Sequence, residues 1–168
     1  IDFQEKLSAK MKYGKEVLHN IKVIVETCKI LKIPVILTEQ YPRGIGPTEK
    51  DIIGILPEHK PVTKMSFSCY RENNFVTELE KLNRKSVIIT GIEAHICVLQ
   101  TALDCMKAGY YVHVLRDCVS SRTKSNWETG LKLMRDAGVV ISSTEIAVFQ
   151  LLKESGTEEF KKIHPFIK

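Results

Sequence analysis

Cys97 stands six residues after Gly91, where an apolar run (Val87, Ile88, Ile89) gives way to a helical pattern. The start of a helix carries roughly half a positive charge and free N–H groups. Such a position lowers a thiol's pKa and enriches the thiolate, the nucleophilic form. The same N–H groups could stabilise an oxyanion on a substrate carbonyl. The position equally suits a buried cysteine that only packs. Asp2 reads as the carboxyl end of a strand. A carboxylate there can take a thiol proton and return it to a leaving group, or it can cap the turn that follows. Lys64 lies in Pro61-Val62-Thr63-Lys64-Met65-Ser66-Phe67-Ser68, whose flanks read as the entry of a buried strand. Beside an aspartate and a cysteine its ammonium would hold the carboxylate; alone it reads as a surface lysine. His95 is two residues from Cys97, and on a helix such neighbours point in different directions. It therefore reads as a pocket-rim residue, not as a base for the thiol.

Elements that could position these residues follow from hydrophobic periodicity. Tyr13 to Leu31 is apolar at Val17, Leu18, Ile21, Ile24, Val25, Cys28 and Leu31, a helix with one buried face. Further helices are expected at His95–Ala108 with Gly109 as C-cap, at Lys124–Ala137, and at Glu145–Lys153 with Thr144 as N-cap; a last one begins at Thr157. Strands are expected at Pro34–Thr38, Ser86–Thr90, Tyr110–Leu115 and Val139–Ser142, with Ile1 ending a strand whose start would precede it. The Gly- and Pro-rich stretch from Tyr41 to Lys60 reads as a long internal loop. Alternation of strand and helix implies βαβ crossovers. The expected fold is α/β: a three-layer αβα sandwich around a mainly parallel, roughly six-stranded Rossmann-like sheet, with residues 1–168 as one domain. In such sheets ligands bind beyond the carboxyl ends of the strands. That rule selects Asp2, Gln4, Glu39, Gln40, Gly91 to Cys97, and Asp117.

Composition excludes several classes. The chain of 168 residues is 43% hydrophobic and 27% charged, ordinary for a globular protein. No stretch approaches the roughly 20 apolar residues that span a bilayer, so no membrane partner is expected. The formal charge of +5 is scattered, without the clustered basic face and aromatic platforms of a nucleic-acid binder. The five cysteines (Cys28, Cys69, Cys97, Cys105, Cys118) are odd in number and lack a Cys-x-x-Cys pair. They suit a reducing compartment such as the cytoplasm. Cys28 and Cys105 fall on apolar helix faces; Cys69 and Cys118 read as loop residues. No phosphate loop, dinucleotide fingerprint or cluster with metal-ligand spacing occurs, so neither metal nor cofactor is expected.

Four segments, in order, resemble the isochorismatase-like cysteine hydrolase family, most closely its small isochorismatase domain-containing members. They are Ile-Asp-Phe-Gln-Glu-Lys (1 to 6), Leu-Thr-Glu-Gln-Tyr-Pro-Arg-Gly-Ile-Gly (37 to 46), Lys-Met-Ser-Phe-Ser (64 to 68) and Thr-Gly-Ile-Glu-Ala-His-Ile-Cys-Val (90 to 98). Residues 112 to 122 also look like the family's late strand and turn. The resemblance implies a catalytic Asp2, Lys64 and Cys97. It further implies a non-proline cis peptide at Ile92–Glu93 and an oxyanion hole from the Glu93 and Cys97 N–H groups. Phe3, Gln4, Gln40, Tyr41 and Phe67 are expected to line the substrate pocket. The nicotinamidases of this superfamily carry an Asp/His metal site after the second strand, where this chain has Glu39, Gln40 and Tyr41. The expectation is a metal-independent hydrolase of a small amide or carbamoyl compound. Vinyl ether hydrolysis, which needs no cysteine, and a silent binding or regulatory member are the alternatives. Homo-oligomers are usual in the family, and the apolar segments Ile146–Leu152 and Phe160–Ile167 are candidates for the interface.

Overall fold

The computed structural model describes residues 1–167. Helix α1 (Glu5–Ser8) is followed by α2 (Gly14–Ile30), β1 (Thr38–Gln40), α3 (Pro42–Ile45), α4 (Lys50–Ile55) and β2 (Val62–Lys64). Then come α5 (Asn73–Lys81), β3 (Ser86–Ile92), a π-helical turn (Ala94–Val98), α6 (Leu99–Lys107) and β4 (Tyr111–Ser120). The chain ends with α7 (Lys124–Asp136), β5 (Val140–Ser142), α8 (Thr144–Leu152) and α9 (Glu158–Ile163). All strand pairs are parallel. The fold is therefore α/β with parallel strands and helices, as the alternation implies.

One continuous sheet of about six strands is not what the ladders form. Among the described residues they are two, β1-β2 and β3-β4-β5. Ile1 and Asp2 lie between them. The Ile92 N–H donates to the Ile1 carbonyl (3.0 Å), and the Asp2 N–H donates to the Thr38 carbonyl (3.2 Å). A side chain on Gly91 would have no room against this segment: a Cβ there would lie 1.9 Å from the Ile1 carbonyl oxygen.

Alternation along the strands builds two core layers. Ile88 and Leu115 pack with Val17, Ile21, Ile24 and Val148 on one face. Ile89 and Val114 pack with Val98, Ala102, Leu131 and Met134 on the other. Successive strand residues point to opposite faces, so an uninterrupted apolar run such as Val87–Ile89 feeds both layers.

Several local expectations shift. The strand expected at Pro34–Thr38 pairs only from residue 38 onward, because proline offers no N–H and pairing enters through the Val62 N–H to the Leu37 carbonyl (2.8 Å). The N-cap of α8 is Ser143, whose Oγ accepts from the Ile146 N–H; Thr144 is already helical. The stretch 41–60 contains α3 and α4, and Cys118 lies within β4. The segment around Cys97 is a wide π turn before α6.

Helix α7 packs directly on that turn through Gly130. A Cβ at Gly130 would lie 2.9 Å from His95 Cα and 3.1 Å from both the Ala94 oxygen and the His95 nitrogen. These are backbone atoms, so the helix would have to retreat. Gly54 in α4 has nothing within 4 Å of such a Cβ. Gly130→Ala is expected to destabilise by about 1–3 kcal/mol, and Gly54→Ala to be neutral or stabilising by up to about 1 kcal/mol. Urea midpoints of the two variants check this contrast.

Candidate active site

Strands β1 and β2 run side by side with Thr38 opposite Val62 and Gln40 opposite Lys64. Their carboxyl ends therefore deliver Gln40 and Lys64 to one level, next to Asp2. Asp2 adopts a left-handed backbone (φ 49°), a region that aspartate enters more readily than most residues. The π turn after β3 brings Cys97 to the same place, and the preceding Ile92–Glu93 peptide bond is cis.

Asp2 is fully buried and Lys64 is 2% exposed. Lys64 Nζ lies 2.6 Å from Asp2 Oδ2. The ammonium also donates to Gln40 Oε1 (2.6 Å) and to the carbonyls of Ser66 and Phe67 (3.1 Å each). Burial, the largest single influence, would drive its pKa down, but the nearby acidic groups, Asp2 first and then Cys97 and Cys69, together outweigh it and the pKa is raised, so Lys64 stays charged. On the other side of the carboxylate, the Thr38 hydroxyl donates to Asp2 Oδ1 (2.7 Å).

The Cys97 thiol lies within reach of the charges of Asp2 and Lys64 and is 6% exposed. Its pKa is pushed up to about 12, first by burial and then by the Asp2 charge, with Lys64 opposing. Sequence position suggests the reverse, because the positive start of a helix favours thiolate. Here desolvation and a neighbouring carboxylate outweigh that local field, and the resting sulfur is a thiol. Asp2, Lys64 and Cys97 are thus brought together as one buried cluster of a carboxylate, an ammonium and a thiol.

The expected pocket lining is rearranged. Phe3 packs in the core beside α2 with Met11 and Ile52. Gln4 is a clamp: its Nε2 donates to the carbonyls of Gln40 (3.0 Å) and Gly46 (2.6 Å), and its Oε1 accepts from the Gln40 N–H (2.8 Å). The Gln40 side chain holds Lys64, and its Nε2 donates to the Met65 carbonyl (2.9 Å). Tyr41 and Phe67 stand exposed, 48% and 55%, on the segments that follow β1 and β2. The Glu93 carboxylate accepts from the Arg122 N–H (3.0 Å) and side chain (3.1 Å). His95 Nδ1 hydrogen-bonds the Ser121 hydroxyl (2.9 Å). Glu39 accepts from both the N–H and hydroxyl of Thr48 (2.8 Å each). Cys28, Cys69, Cys105 and Cys118 are free and buried. Thr38 is the participant that sequence reading missed; a threonine closing an apolar strand gives no local sign of a partner 36 residues away.

The model of the isochorismatase domain matches residues 1–146. A secreted isochorismatase effector, Isc1, of Phytophthora sojae is 41% identical over 158 residues, covering 90% of this chain and 74% of its own. The structure of the MAR1 ribonuclease from Caenorhabditis elegans superposes with a TM-score of 0.92 at 35% identity, covering 99% of this chain and 85% of that one. The YcaC product of Escherichia coli, described as an octameric hydrolase of unknown specificity, shares the fold with a TM-score of 0.87 at 20% identity, covering 91% and 77%. With a family model spanning most of its length, a relative at 41% identity, and the matching segments gathered around one buried cluster, this chain belongs to the isochorismatase family of hydrolases.

Proposed function

We propose that residues 1–168 form one hydrolase domain that cleaves a small amide or carbamoyl compound through a covalent Cys97 acyl-enzyme, without metal or cofactor. The observation that carries this reading is the buried Lys64–Asp2 ion pair with the Cys97 thiol close enough to feel both charges. In the proposed reaction Asp2 takes the thiol proton as sulfur bonds to the carbonyl carbon. The oxyanion is held by the Glu93 and Cys97 N–H groups. Asp2 then gives the proton to the leaving amine, the C–N bond breaks, and a thioester remains. Water, deprotonated by Asp2, hydrolyses it and the thiol is restored. Lys64 is engaged by three neutral acceptors besides Asp2, which suits a fixed charge and not a proton donor. Tyr41 and Phe67 supply the rim of the substrate pocket. Occupied side chains support metal independence: Glu39 is held by Thr48, and Gln40 by Lys64 and Met65. Vinyl ether hydrolysis and a silent site are the alternatives that Cys97 variants distinguish.

The same reading places Ile1–Asp2 as the strand that joins the two ladders into one sheet of about six strands inside an αβα sandwich, supported by its hydrogen bonds to both. A homo-oligomer is part of it, with exposed Ile146 and Phe149 of α8 on the assembling face. A cytoplasmic setting is part of it too, since all five cysteines are unpaired. Among the described residues no helix is long and apolar enough to cross a membrane.

A second reading, cleavage of RNA, is favoured by one observation: the 35% identical Caenorhabditis elegans relative bears the name ribonuclease. It predicts RNA degradation by the wild-type chain that is lost in Cys97→Ala. RNA left intact, with any binding weak and insensitive to salt, removes it.

Two results are expected. Mass spectrometry after exposure to a panel of small amides should show an acyl adduct on Cys97, and Cys97→Ala should abolish turnover while keeping the wild-type circular dichroism. No adduct and no turnover across the panel would sink the amide reading, and turnover surviving in Cys97→Ala but lost in Asp2→Asn would favour vinyl ether chemistry. The second concerns pH. Alkylation needs thiolate and the thiol's pKa is raised to about 12, so iodoacetamide labelling of Cys97 should climb about tenfold per pH unit from 7 to 10. Asp2→Asn removes a charge that holds this pKa up, so at pH 8 labelling should be about tenfold faster or more. Turnover should disappear in the same variant.

A further inference from the structure

The two oxygens of Asp2 are not equivalent. Oδ1 receives the Thr38 hydroxyl at 2.7 Å. Oδ2 faces the Lys64 ammonium at 2.6 Å but has no aligned hydrogen bond, although it is buried. The reason lies in the donor count. An ammonium has three N–H bonds, and Lys64 has three other acceptors, the Gln40 side chain and the carbonyls of Ser66 and Phe67. Oδ2 therefore carries the charge pairing while keeping lone-pair room for one more proton.

The Thr38 hydroxyl has one proton and two lone pairs. It can only accept from the Asp2 N–H (3.3 Å), and the Cys69 thiol, 3.9 Å away, is aligned to donate to it. Burial raises the pKa of Cys69, so that sulfur keeps its proton. Both lone pairs are thus engaged, and the single hydroxyl proton is left for Asp2 Oδ1. Cys69 is itself fixed, fully buried with its N–H on Thr101 Oγ1 (2.9 Å). The hydroxyl has no alternative orientation that satisfies all three neighbours.

We propose that Thr38 is a positioning residue that reserves Oδ1 of Asp2 for structure and leaves Oδ2 as the oxygen that receives and returns the Cys97 proton. This rests on Asp2 being the proton acceptor of Cys97. Without the hydroxyl, Oδ1 would be a second buried acceptor with no donor, free to compete for Lys64 and for the thiol. The carboxylate would then rotate among arrangements of which only a part is productive. Gln40, two residues on along β1 and so on the same face, does the corresponding work for Lys64.

The test uses p-nitrophenyl acetate and the burst of p-nitrophenolate that reports acylation of the full chain. Thr38→Val, nearly isosteric but without the hydroxyl, should acylate about tenfold more slowly, the scale of one neutral hydrogen bond. Its burst amplitude and its dependence on ester concentration should be unchanged. Thr38→Ser, which restores the hydroxyl, should return to within about threefold of wild type. If Thr38→Val fails to fold, Thr38→Ala carries the same expectation. A Val or Ala variant that acylates at the wild-type rate overturns the proposal. So does a Ser variant as slow as Val, since that would mean only packing is lost. A wild-type chain with no burst, or with one that survives Cys97→Ala, overturns the Cys97 reading and this proposal with it. Those results are distinct from the Thr38 variants matching a wild type whose burst depends on Cys97.

Discussion

The buried pairing of Asp2 with Lys64 is the constraint around which the rest is arranged. Two charges removed from water cost several kcal/mol each, recovered only when geometry and added hydrogen bonds are good. Here the compensation comes from four places at once: the first residues of the chain, the ends of β1 and β2, and the segment 65–67. None of these elements is long. Two are three-residue strands whose pairing register, Gln40 against Lys64, decides whether the carboxamide can reach the ammonium. A one-residue slip would turn Lys64 to the opposite face of the pair and leave Asp2 as a buried charge without a partner.

Much of the polar chemistry near the site is spent on holding these short pieces. Gln4 closes three hydrogen bonds across residues 40 and 46. Glu39 fixes Thr48, and Glu72 accepts from the N–H groups of Met65 (3.0 Å) and Ser66 (2.8 Å). Glu72's carboxyl is held below its usual range first by the backbone and side chain of Ser66, so it remains an anionic acceptor. The loop that presents two carbonyls to Lys64 is thereby pinned from outside. Polar residues at strand ends thus divide into those that face the cluster and those that hold the loops facing it, which is why Gln4 and Gln40 read from sequence as pocket lining and are found as clamps.

Legibility in the sequence follows length and locality. The helices α2 and α7 announce themselves because enough residues alternate between core and solvent to set a period, and the strand β3 does so as an uninterrupted apolar run. Helices α1, α3 and α4 and the strands β1 and β2 have three to six residues each, too few for a period, and their conformation depends on tertiary partners. Helix α5 buries only Phe75 and Leu79, too few anchors to set a period. Asp2, Lys64 and Cys97 were legible through segments whose order matches a family. Thr38 was not, because a β-branched residue in a strand is the commonest thing there, and its function depends on the single oxygen it faces. The protonation of Cys97 departs from its local signal for the same reason: the helix start is visible in the sequence, whereas burial and the distant Asp2 are not.

That protonation gives the cluster a simple charge balance. At rest Asp2 is −1, Lys64 is +1 and the Cys97 thiol is neutral, so the buried group has no net charge. A resting thiolate would set a second negative charge beside the carboxylate with one ammonium between them, an arrangement that a low-dielectric interior penalises. In the proposed reaction the proton passes to Asp2 as sulfur attacks, and the negative charge reappears on the substrate oxygen. The balance is then a neutral acid, the same ammonium and an oxyanion, again with no net charge. The charge moves a few ångströms through the site without being created there, and the fixed dipoles that meet it need not reorganise. A raised thiol pKa, which looks unfavourable for a nucleophile, is what keeps this exchange neutral, provided one carboxylate oxygen stays open to the proton.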